Sequence, residues 1–186
     1  MANIQLSGVD IKRLWYADVD AWQDAESVTG ESVKALLDDE GTTEILNVHQ
    51  DTWTIEESES SQDSYKNQLT GAVYRMGKKT MGELTANFTI GRYDYQTKAD
   101  LLGGTVIKNS KGEPTGWARA RGIVEMRKIL VGLTADLQYI VLPQTNFNAR
   151  EANTDGAIGL AVVATAMEPD NAKLAPEYWF DESEVK

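Results

Sequence analysis

The stretch Glu83–Ile90, ELTANFTI, alternates without a break: Leu84, Ala86, Phe88 and Ile90 fall on one side, Thr85, Asn87 and Thr89 on the other. A period of two is the pattern of a β-strand with one buried and one wet face. The strand then runs straight into a different pattern. Asp94 is a good N-cap residue, and Tyr95, Ala99 and Leu102 recur at helical spacing. Gly103 follows at the C′ position, where left-handed backbone ends a helix, and Gly104 comes after it. Two turns of helix are marginal in isolation, so packing must hold this one. The simplest seat is an open end of a β-barrel or sandwich. Leu101 and Leu102 would then seat the helix, while Phe88 and Ile90 anchor the strand beneath it. A mainly β chain with one packed short helix is the expectation.

Period two recurs elsewhere. Residues 52–59 (TWTIEESE), 69–76 (LTGAVYRM), 122–131 (GIVEMRKILV) and 137–142 (LQYIVL) all read as strands, and 11–15 (IKRLW) reads as a weaker one. The 122–131 stretch is expected to be partly exposed. Pro143 is expected to end the 137–142 strand, because proline cannot donate to a ladder. Residues 157–167 (AIGLAVVATAM) are small and apolar on both faces, like a strand buried on two sides. One extra N-terminal helix is expected over 31–39, with Val33, Leu36 and Leu37 on one face and Gly41 as its stop.

Three segments read as connections. Glu59, Ser60, Ser61, Gln62, Asp63, Ser64 and Tyr65 are polar and lie between two strand-like runs, 45–58 and 66–76. A long hairpin arm is the reading there, reaching ~33 Å if each side has ten residues. A shorter exposed hairpin is expected around Lys108–Gly116. Residues 144–156, QTNFNAREANTDG, read as a turn-rich loop. The tail from 168 carries Pro169 and Pro176, then an aromatic cluster at 178–180 that should be pinned to a surface. With no internal repeat, the chain divides into an N-terminal elaboration (1–44) and a β-barrel body (45–186), one domain overall.

At 186 residues the chain can bury a core without disulfides, and it contains no cysteine. That excludes thiol nucleophiles and cysteine-based zinc sites. The start, MANIQLSG, lacks the basic and apolar regions of a signal peptide. The longest apolar run, 157–167, falls short of the roughly 20 residues that span a bilayer. A soluble chain without a membrane anchor is expected.

The net charge of −11 is unevenly spread. Residues 1–65 hold 15 acids against 3 bases, 66–150 hold 6 against 13, and 151–186 hold 8 against 2. One reading is a solvated acidic surface. The other is a polar object whose acidic and basic regions meet on neighbouring copies, charge complementarity fixing register. Sequence-specific nucleic-acid binding would want a clustered basic footprint and is not expected.

Catalytic patterns are missing. His49 is the single histidine and has no accompanying motif. There is no P-loop, no G-x-S-x-G and no H-E-x-x-H. The runs Asp38–Glu40 and Asp18, Asp20, Asp24 lack the spacing of a calcium loop and read as acidic surface. Trp15, Tyr16, Trp22, Trp53 and Trp117 could line a sugar platform, with Trp117 the more exposed, but core or interface packing is the commoner use. No catalytic residue, cofactor or metal is expected.

In order of elements, residues 45–170 resemble the major tail tube proteins of long-tailed phages. They are also similar to the inner tubes of contractile injection and type VI secretion systems. Phe88–Gly104, FTIGRYDYQTKADLLGG, carries most of the likeness, and Gly159–Asn171, GLAVVATAMEPDN, is similar to the family's last barrel strand. The N-terminal 40 residues are where the chain departs from the minimal tube protomer. The resemblance implies a structural, non-enzymatic, self-assembling protein without cofactors, a homo-oligomer of hexameric rings stacked head to tail. The arm 59–65 would reach the next ring. Tape measure and tail terminator or baseplate proteins would be its other partners, and DNA only a non-specific passing cargo. Such a protein is assembled in the host cytoplasm and resides in the virion. A β-sandwich adhesin or carbohydrate-binding module is the alternative of another class.

Overall fold

Alternating residues become strands only when a neighbour offers the same faces, so the pairing decides which apolar residues meet. The computed structural model describes residues 8 and 10–186. In chain order the elements are β1 (Ile11–Asp18), a 3-10 turn (Val19–Trp22), α1 (Gly30–Leu37), β2 (Thr43–Glu44), β3 (Thr54–Glu57), β4 (Ser61–Lys66), β5 (Val73–Thr80) and β6 (Leu84–Ile90). They continue with α2 (Tyr95–Leu102), β7 (Thr105–Lys108), β8 (Pro114–Ala118), β9 (Met126–Thr134), β10 (Gln138–Thr154), β11 (Ala157–Ala166), β12 (Tyr178–Asp181) and a last 3-10 turn (Glu182–Glu184). The fold is mainly β.

The main sheet runs β2-β1-β9-β10-β11-β6-β3, with β12 also paired to β10. One irregular segment brings its two sides together. Ile45 N–H donates to the Leu14 carbonyl of β1 at 2.8 Å, and four residues on His49 N–H donates to Thr89 of β6 at 2.7 Å. Val48 also bridges Ile90 of β6. Residues 45–49 therefore close the sheet into a barrel and satisfy edges that would otherwise be open.

Closure creates two cores on opposite faces of β1 and β9. Inside the barrel, Leu14 and Tyr16 meet Phe88, Ile90, Leu130 and Phe147. The interleaved residues Trp15, Ala17, Ile129 and Val131 point outward into a second core, covered by Val33 and Leu36 of α1 and by Leu174 and Val185 of the tail. Trp15 stacks on Tyr139 there, ring centres 6.2 Å apart. Helix α1 starts on a capping box between Thr29 and Ser32, two orphan donors satisfied reciprocally.

Strand β10 faces both cores, with Val141 in the outer one and Leu142 in the inner, and it contains an extra residue. Its register against β9 shifts between Leu142 (opposite Leu130) and Thr145 (opposite Lys128). Three steps on β10 face two on β9, the count of a β-bulge. The parity of inward residues flips across it: Tyr139 and Val141 belong to the outer core, Phe147 to the barrel interior. Pro143 sits in the bulge, where its missing N–H costs nothing. The strand thus passes through the proline that was expected to end it. The bulge's polar groups are largely paired: Thr145 Oγ1 donates to the Lys128 carbonyl at 2.7 Å, and the Gln144 carbonyl accepts from Met167 N–H at 2.9 Å.

Other expectations shift in the same way. The loop expected over 144–156 is the second half of β10, paired to β11 from Thr145 to Thr154. Only Asp155 (φ 48°) and Gly156 (φ 88°) turn, the positive-φ pair of a tight hairpin. The strand expected from Gly122 begins at Met126 and is buried from Ile129 to Thr134 rather than partly exposed. Strand β11 is buried on one face only: Leu160, Val162 and Ala164 point in, while Val163 is exposed. Residues 10–44, expected as an elaboration, supply an interior strand, β1, and the layer α1. The exposed hairpin near 108–116 is β7–β8, and the aromatic tail is pinned as β12.

Two substitutions test this packing. Phe88→Ala should cost about 3–5 kcal/mol in urea unfolding, whereas Val163→Ala should cost under about 1 kcal/mol. A Cβ on Gly30 would meet the Glu184 carbonyl oxygen at 2.1 Å. Gly30→Ala should therefore destabilise by about 1–3 kcal/mol, although alanine is the better helix former. A stabilised Gly30→Ala variant would contradict the seam between α1 and the tail.

Candidate functional site

The junction of β6 and α2 is built from the residues singled out in the sequence. Phe88 lies between Trp53 and Phe147, ring centres 6.3 and 6.2 Å away, and Ile90 is buried beside it. Asp94 starts α2: its Oδ1 accepts from Thr97 N–H at 2.7 Å. Leu101 is buried and Leu102 half-buried against the barrel core. Gly103 ends the helix at φ 71°, ψ −178°. This is not the left-handed helical conformation expected at C′ but the extended positive-φ region that is essentially glycine's alone.

A charged node ties α2 to the barrel. Lys98 Nζ lies 2.6 Å from Glu151 of β10 and 4.4 Å from the centre of the Trp117 ring on β8. Arg119 reaches the other Glu151 oxygen at 3.1 Å, and Trp117 Nε1 donates to the Gly103 carbonyl at 3.0 Å. Glu151 is held below the usual carboxylate range, first by its bond to Lys98. Asp94 is lowered too, chiefly by the Thr97 backbone N–H. Burial, with the Asp100 charge next, raises the Tyr16 phenol, whose hydroxyl donates to Asp100 at 3.1 Å.

The segment expected as an arm lies in a projecting hairpin, but its place there differs. Ser61–Tyr65 form most of β4 rather than the tip, Glu59 and Ser60 lie at the base, and the tip is the turn 67–72 between β4 and β5. Its extended Ser and Gln residues disguise a strand that pairs only with β5. Ser58 N–H donates to the Glu83 carbonyl at 3.0 Å and closes the base, and Asn67 N–H donates to Ala72 at 2.7 Å to close the tip. Both strands are exposed along nearly their whole length. Leu69 is 93% exposed, and Tyr74, Met76 and Val73 also face solvent.

Two clefts open on the body. One, of about 660 Å³, lies at the barrel mouth between Thr43–Asn47 and the start of α2. The other, of about 310 Å³, lies among the 3-10 turn at Val19–Trp22, the β10 bulge and Pro169–Leu174. Nothing in the sequence pointed to this second groove, because its first wall lies more than a hundred residues from the other two in the chain.

His49 Nε2 lies 3.2 Å from Asp155, an exposed residue of the β10–β11 turn. Among the described residues no three His, Cys, Asp or Glu gather as metal ligands, and no helix is long and apolar enough to cross a membrane. Trp15, Tyr16 and Trp22 are buried, and Trp117 is only half-exposed beneath Lys98. The aromatic set forms no common platform. No protein-family model matches the chain, and no curated protein matches it.

The lowered carboxylates set a sign for pH dependence. A group with depressed folded pKa stabilises above its unfolded value and loses that contribution as pH falls through the folded one. For Asp94 and Glu151, with ordinary values of 3.8 and 4.5, the loss falls below those values. Asp94→Asn keeps the cap but not the charge. Its stability deficit relative to wild type should shrink as pH falls from 5 to 2 (urea unfolding), whereas Asp94→Ala should cost about 1 kcal/mol at pH 7.

Proposed function

We propose that this protein is a structural, self-assembling building block of the tail-tube kind. Its barrels join into hexameric rings that stack head to tail around a lumen through which DNA passes. The single observation that carries the reading is the β4–β5 arm. A two-stranded hairpin is marginal in water, and this one holds exposed Leu69, Val73, Tyr74 and Met76, which no described residue covers. Exposed apolar surface of this kind marks a binding partner. In a homo-oligomer that partner is another copy.

Other features support the same reading. Six copies at −11 each would make a strongly negative ring, and negative walls repel phosphate rather than recruit it. The arm is one of the basic stretches of an acidic chain: residues 59–80 hold two acids and four bases. Tape measure, terminator or baseplate proteins would be the end partners of such a tube. The inner tube of a contractile injection or type VI-like system is the same architecture in another setting. The carbohydrate-binding alternative has less to stand on, because its aromatic residues are occupied in packing.

Replacing residues 59–82 with a two-residue Asn-Gly turn joins Ser58 to Glu83, which are already hydrogen-bonded. The shortened protein should unfold cooperatively with stability within about 1 kcal/mol of wild type, yet form no rings or tubes. Sedimentation velocity and negative-stain electron microscopy across concentration read the outcome. Assembly that persists without the arm would refute the arm's role, and a wild-type chain that stays monomeric at every concentration would refute the whole reading.

A further inference from the structure

The groove of about 310 Å³ beside the β10 bulge has the wrong character for an idle surface. Its apolar floor includes Val19, Trp22, Pro143 and Leu174, and its charged lining residues, Asp20, Asp24 and Asp170, are all acids. Asp170 is paired with Arg127 at 3.1 Å, while no basic side chain pairs with Asp20 or Asp24 among the described residues. Gln144 lines the same groove and is only 3% exposed. Its Oε1 accepts from Asp170 N–H at 2.9 Å, which fixes the amide's orientation. That leaves Nε2, which is buried without a hydrogen-bond partner. A buried donor left unpaired is costly.

The arm tip of this chain offers the complement. Leu69 stands clear of the protein at the apex of the turn. The turn is stiff: Asn67 Oδ1 accepts from Leu69 N–H at 2.8 Å, and Gly71 N–H donates to the Asn67 carbonyl at 2.8 Å. Lys66 flanks the turn on one side and Arg75 lies beyond it on the other. An apolar apex with cationic flanks fits a groove with apolar residues at its floor and acidic walls. A rigid tip also loses little freedom on docking.

We propose that this groove is the socket for the β4–β5 tip of a second copy. Leu69 seats on the floor and Lys66 faces Asp20 and Asp24. The proposal rests on the self-assembly reading but is separable from it, because the arm could reach another surface instead.

The absence of cysteine makes the test direct. Full-length Gln68→Cys protein, which keeps Leu69, is mixed with Gln23→Cys protein, Gln23 being an exposed groove residue, and mixed disulfide formation is followed under mild oxidation. A parallel mixture pairs Gln68→Cys with Ser110→Cys, on the remote β7–β8 turn. The socket pair should crosslink at least about tenfold faster, because docking raises effective concentration. Leu69→Asp should raise the concentration needed for assembly by about 10- to 100-fold, the fold-change equivalent of unburying one leucine. Assembly that proceeds with equal crosslinking in both mixtures, or that ignores Leu69→Asp, overturns the socket and leaves self-assembly standing. Wild-type protein that never associates overturns both.

Discussion

One extra residue in β10 organises the molecule. A regular strand presents the same alternate residues to the same side along its whole length, so it can line one core or separate two, but not change role midway. Between Leu142 and Thr145 the bulge changes the parity. Before it, Tyr139 and Val141 look toward α1 and the tail while β12 and β9 flank the strand. After it, Phe147 enters the barrel and β11 becomes the partner. Pro143 is tolerated because the bulge removes the need for its donor. A bulge also bends and twists its strand, as a sheet needs in order to close.

Closure and covering then divide the labour. The barrel core is aromatic and tightly interlocked: Tyr16, Phe147, Phe88 and Trp53 form a continuous series of rings about 6 Å apart, a spacing at which edge-to-face contact adds to burial. The outer core is made by residues distant in sequence. Val33 of α1 and Val185 near the end of the chain meet over β9. Stability of the body therefore depends on long-range contacts, whereas the arm depends on none. Its base closes on itself at Ser58 and Glu83, so the arm can engage another surface without straining the barrel.

The sequence was most legible where a residue's role is set by its immediate neighbours. The face of β6, the cap at Asp94 and the amphipathic α1 all follow from local spacing, and all three are present. It was least legible where a partner strand decides. The polar run SQDSYK has weak strand character, yet it pairs with VYRMGKKT because the closed base and tip leave it no other arrangement. The stretch NFNARE reads as loop by composition, but Phe147 and Ala149 turn inward against β11. Pro143 misleads because a rule about ladders assumes a regular ladder. The groove beside it was invisible for a different reason: residues 19–24, 143–144 and 169–174 meet only after the sheet has formed.

Charge would limit indiscriminate aggregation of a chain that carries an exposed apolar hairpin. At −11 overall, two bodies approaching at random repel one another, and the repulsion reaches about 8 Å at physiological salt. The arm inverts the local sign with Lys66, Arg75, Lys78 and Lys79 against Glu59 and Asp63. Under the self-assembly proposal, an approach that brings this basic hairpin to acidic surface lowers the electrostatic cost before apolar contact begins. Exposed leucine and tyrosine would then supply affinity that charge alone lacks, while the charge pattern would select the register. An edge that would be a hazard on a neutral protein thus becomes directional. Under the self-assembly proposal, the favoured geometry is one in which acidic surface and the basic arm belong to different copies.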